Sequence, residues 1–212
     1  DKTYDGNAVA TLNTGSILYS GLINGDTFSG TYTGAFNNAN AGTGKTVTIT
    51  PSYTGADVNN YSITNHSTIT ADVAVKALTA TASAVNKTYD GTTTATTTLT
   101  FTGLVGSETL GQTVGSTFNN KNVGTGKSVT VNSITLANGS NGGLAANYSI
   151  SPGQTTTANV TAKALTVSGI TASNKTYDAN AVATLDATSV AYTGKVNGCL
   201  LYTSPSPRDS RK

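Results

Sequence analysis

Few side chains in this sequence can do chemistry, and their spacing limits what chemistry that is. His66 is the only histidine and Cys199 the only cysteine. One imidazole cannot build a histidine metal site, and no nucleophile or orienting acid can be grouped with it, so His66 reads as a surface residue of the Thr64–Thr68 loop. One thiol cannot close an internal disulfide. The acids Asp5, Asp26, Asp57, Asp72, Asp90, Glu108, Asp178 and Asp186 are scattered, with no Asp-x-Asp calcium spacing and no motif that would pair two of them for hydrolysis. Gly42–Thr46 and Gly124–Ser128 read Gly-Thr-Gly-Lys-Thr/Ser, the end of a phosphate-binding loop. That loop needs an earlier glycine, where Ala39 and Lys121 stand, and a helix after it. Val47-Thr48-Ile49 and Val129-Thr130-Val131 follow instead and alternate as strands, so these glycines are expected to make a turn before a strand. The expectation is a non-enzyme with no catalytic, cofactor-binding or metal-binding residues and no cofactor.

The residues that recur are of another kind. Asp1-Lys-Thr-Tyr-Asp-Gly returns as Asn86-Lys-Thr-Tyr-Asp-Gly and as Asn174-Lys-Thr-Tyr-Asp-Ala. Tyr4, Asp5 and Gly6 therefore match Tyr89, Asp90 and Gly91, and then Tyr177 and Asp178, with Ala179 in the glycine position. Other landmarks recur in the same order: Ala35–Ile49 with Thr117–Val131, Asn60–Ile63 with Asn147–Ile150, and Thr70–Thr79 with Thr157–Thr166. Spacings of 85 and 88 residues between motif tyrosines suit a small domain rather than a solenoid coil. The organisation read from this is a first repeat lacking its opening strand (1–76), a complete repeat (77–163), a truncated repeat (164–198) and a tail (199–212). As a motif, Tyr-Asp-Gly reads as structural: the tyrosine fills a small core, the aspartate bonds local backbone and the glycine makes the turn. Ala179 implies a different or strained turn if that position needs positive φ.

The elements that must position these residues are strands. Thr, Ser, Asn and Gly make up half of the 212 residues, while charged residues are 10% and hydrophobic residues 36%. This excludes a long-helix protein and a basic nucleic-acid binder, and no apolar run is long enough to span a membrane as a helix. Period-two alternation marks strands at Leu78–Ala84, Leu99–Phe101, Tyr148–Ile150 and Ala158–Ala162. Val129 and Val131 fall on one parity and Ile134 and Leu136 on the other, which predicts a bulge near Asn132–Ser133. Asp90-Gly91, Asn138-Gly139 and Asn141-Gly142-Gly143 are turn signals. Six or seven short strands per repeat predict an all-β fold of tandem small antiparallel β-sandwiches, Ig-like in architecture, with a β-grasp-like sheet as the second choice. Residues 164–198 hold less than half a repeat and are expected frayed or pairing through exposed edges.

The tail differs in composition. Both arginines, Arg208 and Arg211, and two of the four prolines lie there, and over residues 1–198 lysines and acids balance. Cys199–Ser210 resembles translated sequencing-adapter read-through at the ends of metagenomic fragments, so 199–212 is set aside from the fold as a non-native tail.

The repeated Asn-Lys-Thr-Tyr-Asp-Gly, with Asn119–Val131 and Asn147–Ile150 downstream, resembles the YDG-type repeat of large bacterial surface proteins, including filamentous-haemagglutinin-like adhesins, and is similar to the related MBG repeats. The resemblance implies an extracellular or cell-surface setting and a non-catalytic stalk that spaces a distal binding region from the cell. The implied partners are neighbouring repeats of the same chain, and a host surface or glycans through other parts of the full protein, with neither nucleic acid nor membrane insertion. The alternative is a glycan- or host-protein-binding module in its own right, for which Tyr32, Tyr53 and Tyr192 are the candidate exposed aromatics.

Overall fold

Threonine-rich alternation gives strands throughout the computed structural model, which describes residues 1–196. β-Branched threonines suit the exposed side of a pleated sheet, and the sparse valines fill the other. The first repeat holds β1 (Lys2–Thr3), β2 (Val9–Ala10), β3 (Ser29–Phe36), β4 (Gly42–Thr54) and β5 (Thr68–Ala74). They form one sheet in the order β1-β5-β4-β3-β2. The second repeat adds β6 (Lys76–Ala77), β7 (Thr79–Ala84), β8 (Lys87–Thr88), β9 (Thr94–Ala95), β10 (Thr97–Thr102), β11 (Leu110–Phe118), β12 (Gly124–Asn138), β13 (Tyr148–Ser149) and β14 (Thr155–Thr161). Its main sheet, β8-β14-β12-β11-β9, repeats the first order, and β10-β7 and β13-β6 are separate two-stranded sheets. The third repeat has β15 (Thr166–Ser168), β16 (Thr171–Ala172), β17 (Leu185–Asp186) and β18 (Ala191–Thr193), paired as β15-β18 and β16-β17. The molecule is all-β and built of several sheets, and the described residues contain no α-helix. The expectation about residues 199–212 concerns residues outside those described.

Two compact units are present, and each draws on two sequence repeats. One comprises Asp1–Ala82, Thr98–Gly115 and Val131–Gln154; the other comprises Ser83–Thr97, Ser116–Thr130 and residues from Thr155 onward. The core of the first unit joins Tyr4, Phe36, Val47 and Val73 of the first repeat to Leu78 and Tyr148 of the second. The core of the second unit is Ala95, Phe118, Val129, Ala158 and Val160, with Ala84 and Tyr89 packed against it. Residues 164–193 remain almost wholly exposed, because a few short pairs of strands cannot cover one another.

The Gly-Thr-Gly-Lys segments lie inside strands, not in turns ahead of them. Pairing of β4 with β5 slips between Gly42 and Lys45, and pairing of β12 with β14 slips between Gly124 and Lys127. Gly44 and Gly126 both have φ 58°, the left-handed conformation of a glycine bulge. Each freed N–H finds a side chain on the adjoining strand: Gly44 N donates to Asp72 Oδ1 at 2.7 Å and Gly126 N to Asn159 Oδ1 at 2.8 Å. The lysine turns inward to hold the preceding asparagine turn, with Lys45 Nζ donating to Asn38 Oδ1 at 2.6 Å and the buried Lys127 Nζ to Asn120 Oδ1 and Asn122 O. In β12, inward positions run Val129 and Val131, then Ile134 and Leu136, with Asn132 and Ser133 both exposed, so the parity reverses where the sequence predicts it. Nothing lies within 4 Å of a Cβ at Gly126, so backbone conformation alone sets its requirement. Gly126→Ala is expected to destabilise the chain by about 1 kcal/mol and Gly126→Asn by less, since Asn tolerates left-handed backbone. Thermal melts of the two variants check this.

Candidate functional site

Each of the three motif turns is held by a lysine two residues before the tyrosine. Lys2 Nζ donates to Asp5 Oδ1 at 2.6 Å, Asn7 O at 2.7 Å and Asn7 Oδ1 at 2.9 Å. Lys87 Nζ donates to Asp90 Oδ1, Thr92 O and Thr94 O, each at 2.9 Å. Lys175 Nζ donates to Asp178 Oδ1 at 2.7 Å and Asn180 O at 2.9 Å. The aspartate also accepts the backbone N–H two residues on, from Asn7, Thr92 and Asn180 respectively. One carboxylate thus neutralises the ammonium and closes an Asx turn. The Lys2 and Lys87 ammonium groups also lie 5.7 and 5.5 Å from the Phe36 and Phe118 ring centroids. The lysine bond, with turn amides adding to it, holds Asp5 and Asp178 below the usual carboxylate range and Asp90 down to about 2.

In the first copy the turn positions Tyr4 against the following repeat. Short parallel pairings set it: β1 on β5, with Tyr4 N donating to Ala74 O at 2.8 Å, and β8 on β14, with Tyr89 N donating to Thr161 O at 2.8 Å. Tyr4 is 4% exposed, and its hydroxyl donates to Glu108 Oε1 at 2.6 Å. Tyr148, in the second repeat's Asn-Tyr-Ser-Ile, donates to the other oxygen, Oε2, also at 2.6 Å. The two rings meet edge to face, 5.4 Å apart at 82°. Val105 N closes the arrangement by donating to Tyr148 Oη at 3.0 Å. Burial, then the bond to Glu108 and its negative charge, push Tyr4 up to about 12 and raise Tyr148 in the same direction. Ionising either phenol would remove a donor and set a second anion beside the carboxylate.

The glycine has two reasons to be there. Gly6 has φ 81° and Gly91 φ 82°. A Cβ at Gly6 would lie 2.7 Å from Val105 Cγ1, and one at Gly91 would lie 2.7 Å from Val196 Cγ1. Val105 and Val196 follow equivalent Thr-Gly-x sequences in the second and third repeats, so each glycine admits the next repeat's valine. Ala179, in the third copy, adopts φ 59° and carries the strain of a left-handed non-glycine residue.

The eight motif residues therefore do not come together as one site. Tyr4 is buried, Tyr89 is half-buried in the second unit's core cluster, and Tyr177 is 91% exposed. Sequence reasoning did not single out the three lysines, nor Glu108, Val105 and Tyr148. The lysines had a signal in their fixed spacing from each aspartate. Glu108 had a fainter one: Gly103-Leu-Val-Gly-Ser-Glu108 matches Gly21-Leu-Ile-Asn-Gly-Asp26. The matching first-repeat residues reproduce half of the joint, with Tyr61 Oη donating to Asp26 Oδ2 at 2.6 Å and Ile23 N donating to Tyr61 Oη at 3.0 Å.

Comparison with protein families finds the YDG domain over residues 1–71 and again over 74–158. The chain belongs to the YDG domain family. No curated protein and no solved structure matches it. Lysine clasp, buried tyrosine and valine-facing glycine describe what the signature residues of a YDG repeat do in this chain.

Tyr4→Phe is expected to cost about 2 kcal/mol, the loss of a hydrogen bond to a charged group, with Glu108 left short of a donor. The folded pKa of Tyr4 lies above the ordinary 10.0, so the bond's contribution is complete below pH 10 and is lost as pH rises toward about 12. Alkaline denaturation of the parent should show this loss, and Tyr4→Phe should flatten it. Asp90 has the opposite sign: its contribution is complete above 3.8 and is lost as pH falls toward about 2. Lys87→Met should weaken that acid dependence, as read by chemical denaturation at a series of pH values.

Proposed function

We propose that this chain is a non-catalytic structural stalk segment of a secreted or surface-anchored bacterial adhesin, spacing a distal binding region from the cell. The observation that carries the reading is the Tyr4–Glu108–Tyr148 joint, in which one repeat's signature tyrosine is buried in the next repeat's core. A side chain committed in this way makes neighbouring repeats of the chain each other's partners, as a load-bearing array requires. The bacterial surface setting is supported by the likeness of the repeated motif to those of filamentous-haemagglutinin-like adhesins. With a single cysteine the sequence cannot close a disulfide within itself, which suits export of a largely unfolded chain.

A second reading, a glycan- or host-protein-binding module, has one observation in its favour. Tyr19, Phe28, Tyr32, Tyr53 and Tyr61 line a cavity of about 630 Å³ in the first repeat, two of them among the aromatics expected to face solvent. Tyr192 lies elsewhere, opposite Val167 in the β15–β18 pair.

Single-molecule pulling on the chain distinguishes the two. In the stalk reading, Tyr4→Ala and Glu108→Ala each lower the unfolding force, and the double variant lowers it no further than the stronger single one. Unchanged force in both variants, together with saturable binding in a glycan-panel titration, would replace the stalk reading with the second.

A further inference from the structure

The strand by which the chain leaves each five-stranded sheet does not lie at the sheet's edge. In the orders β1-β5-β4 and β8-β14-β12, the exit strand, β5 or β14, has a neighbour on either side. One neighbour is a long antiparallel strand, as where β14 pairs with β12 from Thr130↔Thr155 to Gly124↔Val160. The other is the two-residue strand by which the chain enters the sheet. That pair is parallel: Lys2↔Val73 and Thr3↔Ala74 in the first repeat, Lys87↔Val160 and Thr88↔Thr161 in the second.

One residue of the exit strand ties both neighbours to it. Asn159 N donates to Asn86 Oδ1 at 2.7 Å, and its own Oδ1 accepts Gly126 N at 2.8 Å. Asp72 does the same in the first repeat: its N donates to Asp1 Oδ1 at 2.8 Å, and its Oδ1 accepts Gly44 N at 2.7 Å. The side chain ahead of the motif lysine therefore adds a rung to the parallel pair. Asp and Asn both serve there because only a side-chain oxygen is needed. The other end of the pair is closed by Tyr4 N on Ala74 O and by Tyr89 N on Thr161 O, each at 2.8 Å. Thr161 Oγ1 adds a bond to Lys87 O at 3.3 Å.

Strand direction decides how such a pair answers tension. A stretched chain pulls the entry strand back from its first residue and the exit strand forward from its last. In a parallel pair these are opposite ends, so the strands must slide past each other and every rung is strained at once. In an antiparallel pair the two loaded ends would be adjacent, and the rungs would part in turn. The exit strand must also shear against its antiparallel neighbour at the same moment.

We propose that the entry strand, with the Asp or Asn ahead of it, is a shear latch that holds the exit strand in its sheet against stretching. The latch deepens the stalk reading and rests on it for its use, while its mechanics belong to the sheet alone.

The test loads the second unit directly, in the full chain with Cys199→Ser. Handles attached through Val85→Cys and Lys163→Cys make the strands slide. Handles attached through Thr93→Cys and Lys163→Cys load the same end of both strands and peel them apart. All three handle positions are exposed. Unfolding force reads the barrier along the direction pulled. Sliding should need about twice the force of peeling or more, since its rungs yield together. Asn86→Ala should lower the sliding force and leave the peeling force unchanged, because its rung is the last reached in peeling. Asn86→Asp should restore the sliding force, as Asp1 supplies the same rung in the first repeat. Equal forces in the two directions overturn the proposal. So does an Asn86→Ala variant that loses nothing in sliding, or that loses equally in both directions as a general loss of stability would. The comparison of directions alters no residue of the ladder, so it decides the matter even where Asn86→Ala impairs folding. Failure of the stalk reading is read separately, by Tyr4→Ala and Glu108→Ala pulled from the chain ends, and Tyr4 lies outside the span loaded here.

Discussion

Two phenols on one carboxylate hold the first compact unit together. Glu108 is one of only ten acids in a chain poor in charge, and both of its oxygens are taken, by Tyr4 from one repeat and Tyr148 from the next. A partly buried carboxylate is costly unless hydrogen-bonded, and charge-assisted bonds at 2.6 Å are among the strongest neutral donors can offer. Tyr4 must then sit at one height and one angle, and the features around it serve that. Parallel pairing of β1 with β5 sets the height, the Lys2–Asp5 clasp closes the turn, and Gly6 lets the backbone come down onto Val105.

A composition this poor in large apolar residues favours a core shared across a repeat boundary, as in the first unit. One sheet offers only a handful of valines and a phenylalanine. Joining Phe36, Val47 and Val73 to Leu78 and Tyr148 builds one core from two half-cores.

Much of the fold is legible in the sequence. Alternation located the strands, Asp90-Gly91 located a turn, and the switch of parity after Val131 marked the irregularity in β12. The Gly-Thr-Gly-Lys segments read as turns ahead of strands because glycine usually signals a turn. Here glycine bulges keep the segment inside the ladder, and the side chains that satisfy Gly44 and Gly126 come from Asp72 and Asn159, far along the chain. The lysine clasp was local and regular, and its spacing from each aspartate would have revealed it.

The sequence by itself determined the local structure: the period of the repeats, the all-β class and the Tyr-Asp-Gly turn, because each depends on residues within a few positions of one another. Tertiary structure alone decided which residues meet across the repeat boundary. Tyr4 and Glu108 are 104 residues apart, and no spacing or propensity links a phenol to a carboxylate at that distance. Their pairing follows from the order of strands in the sheet and from the need of two small half-cores to share one interior.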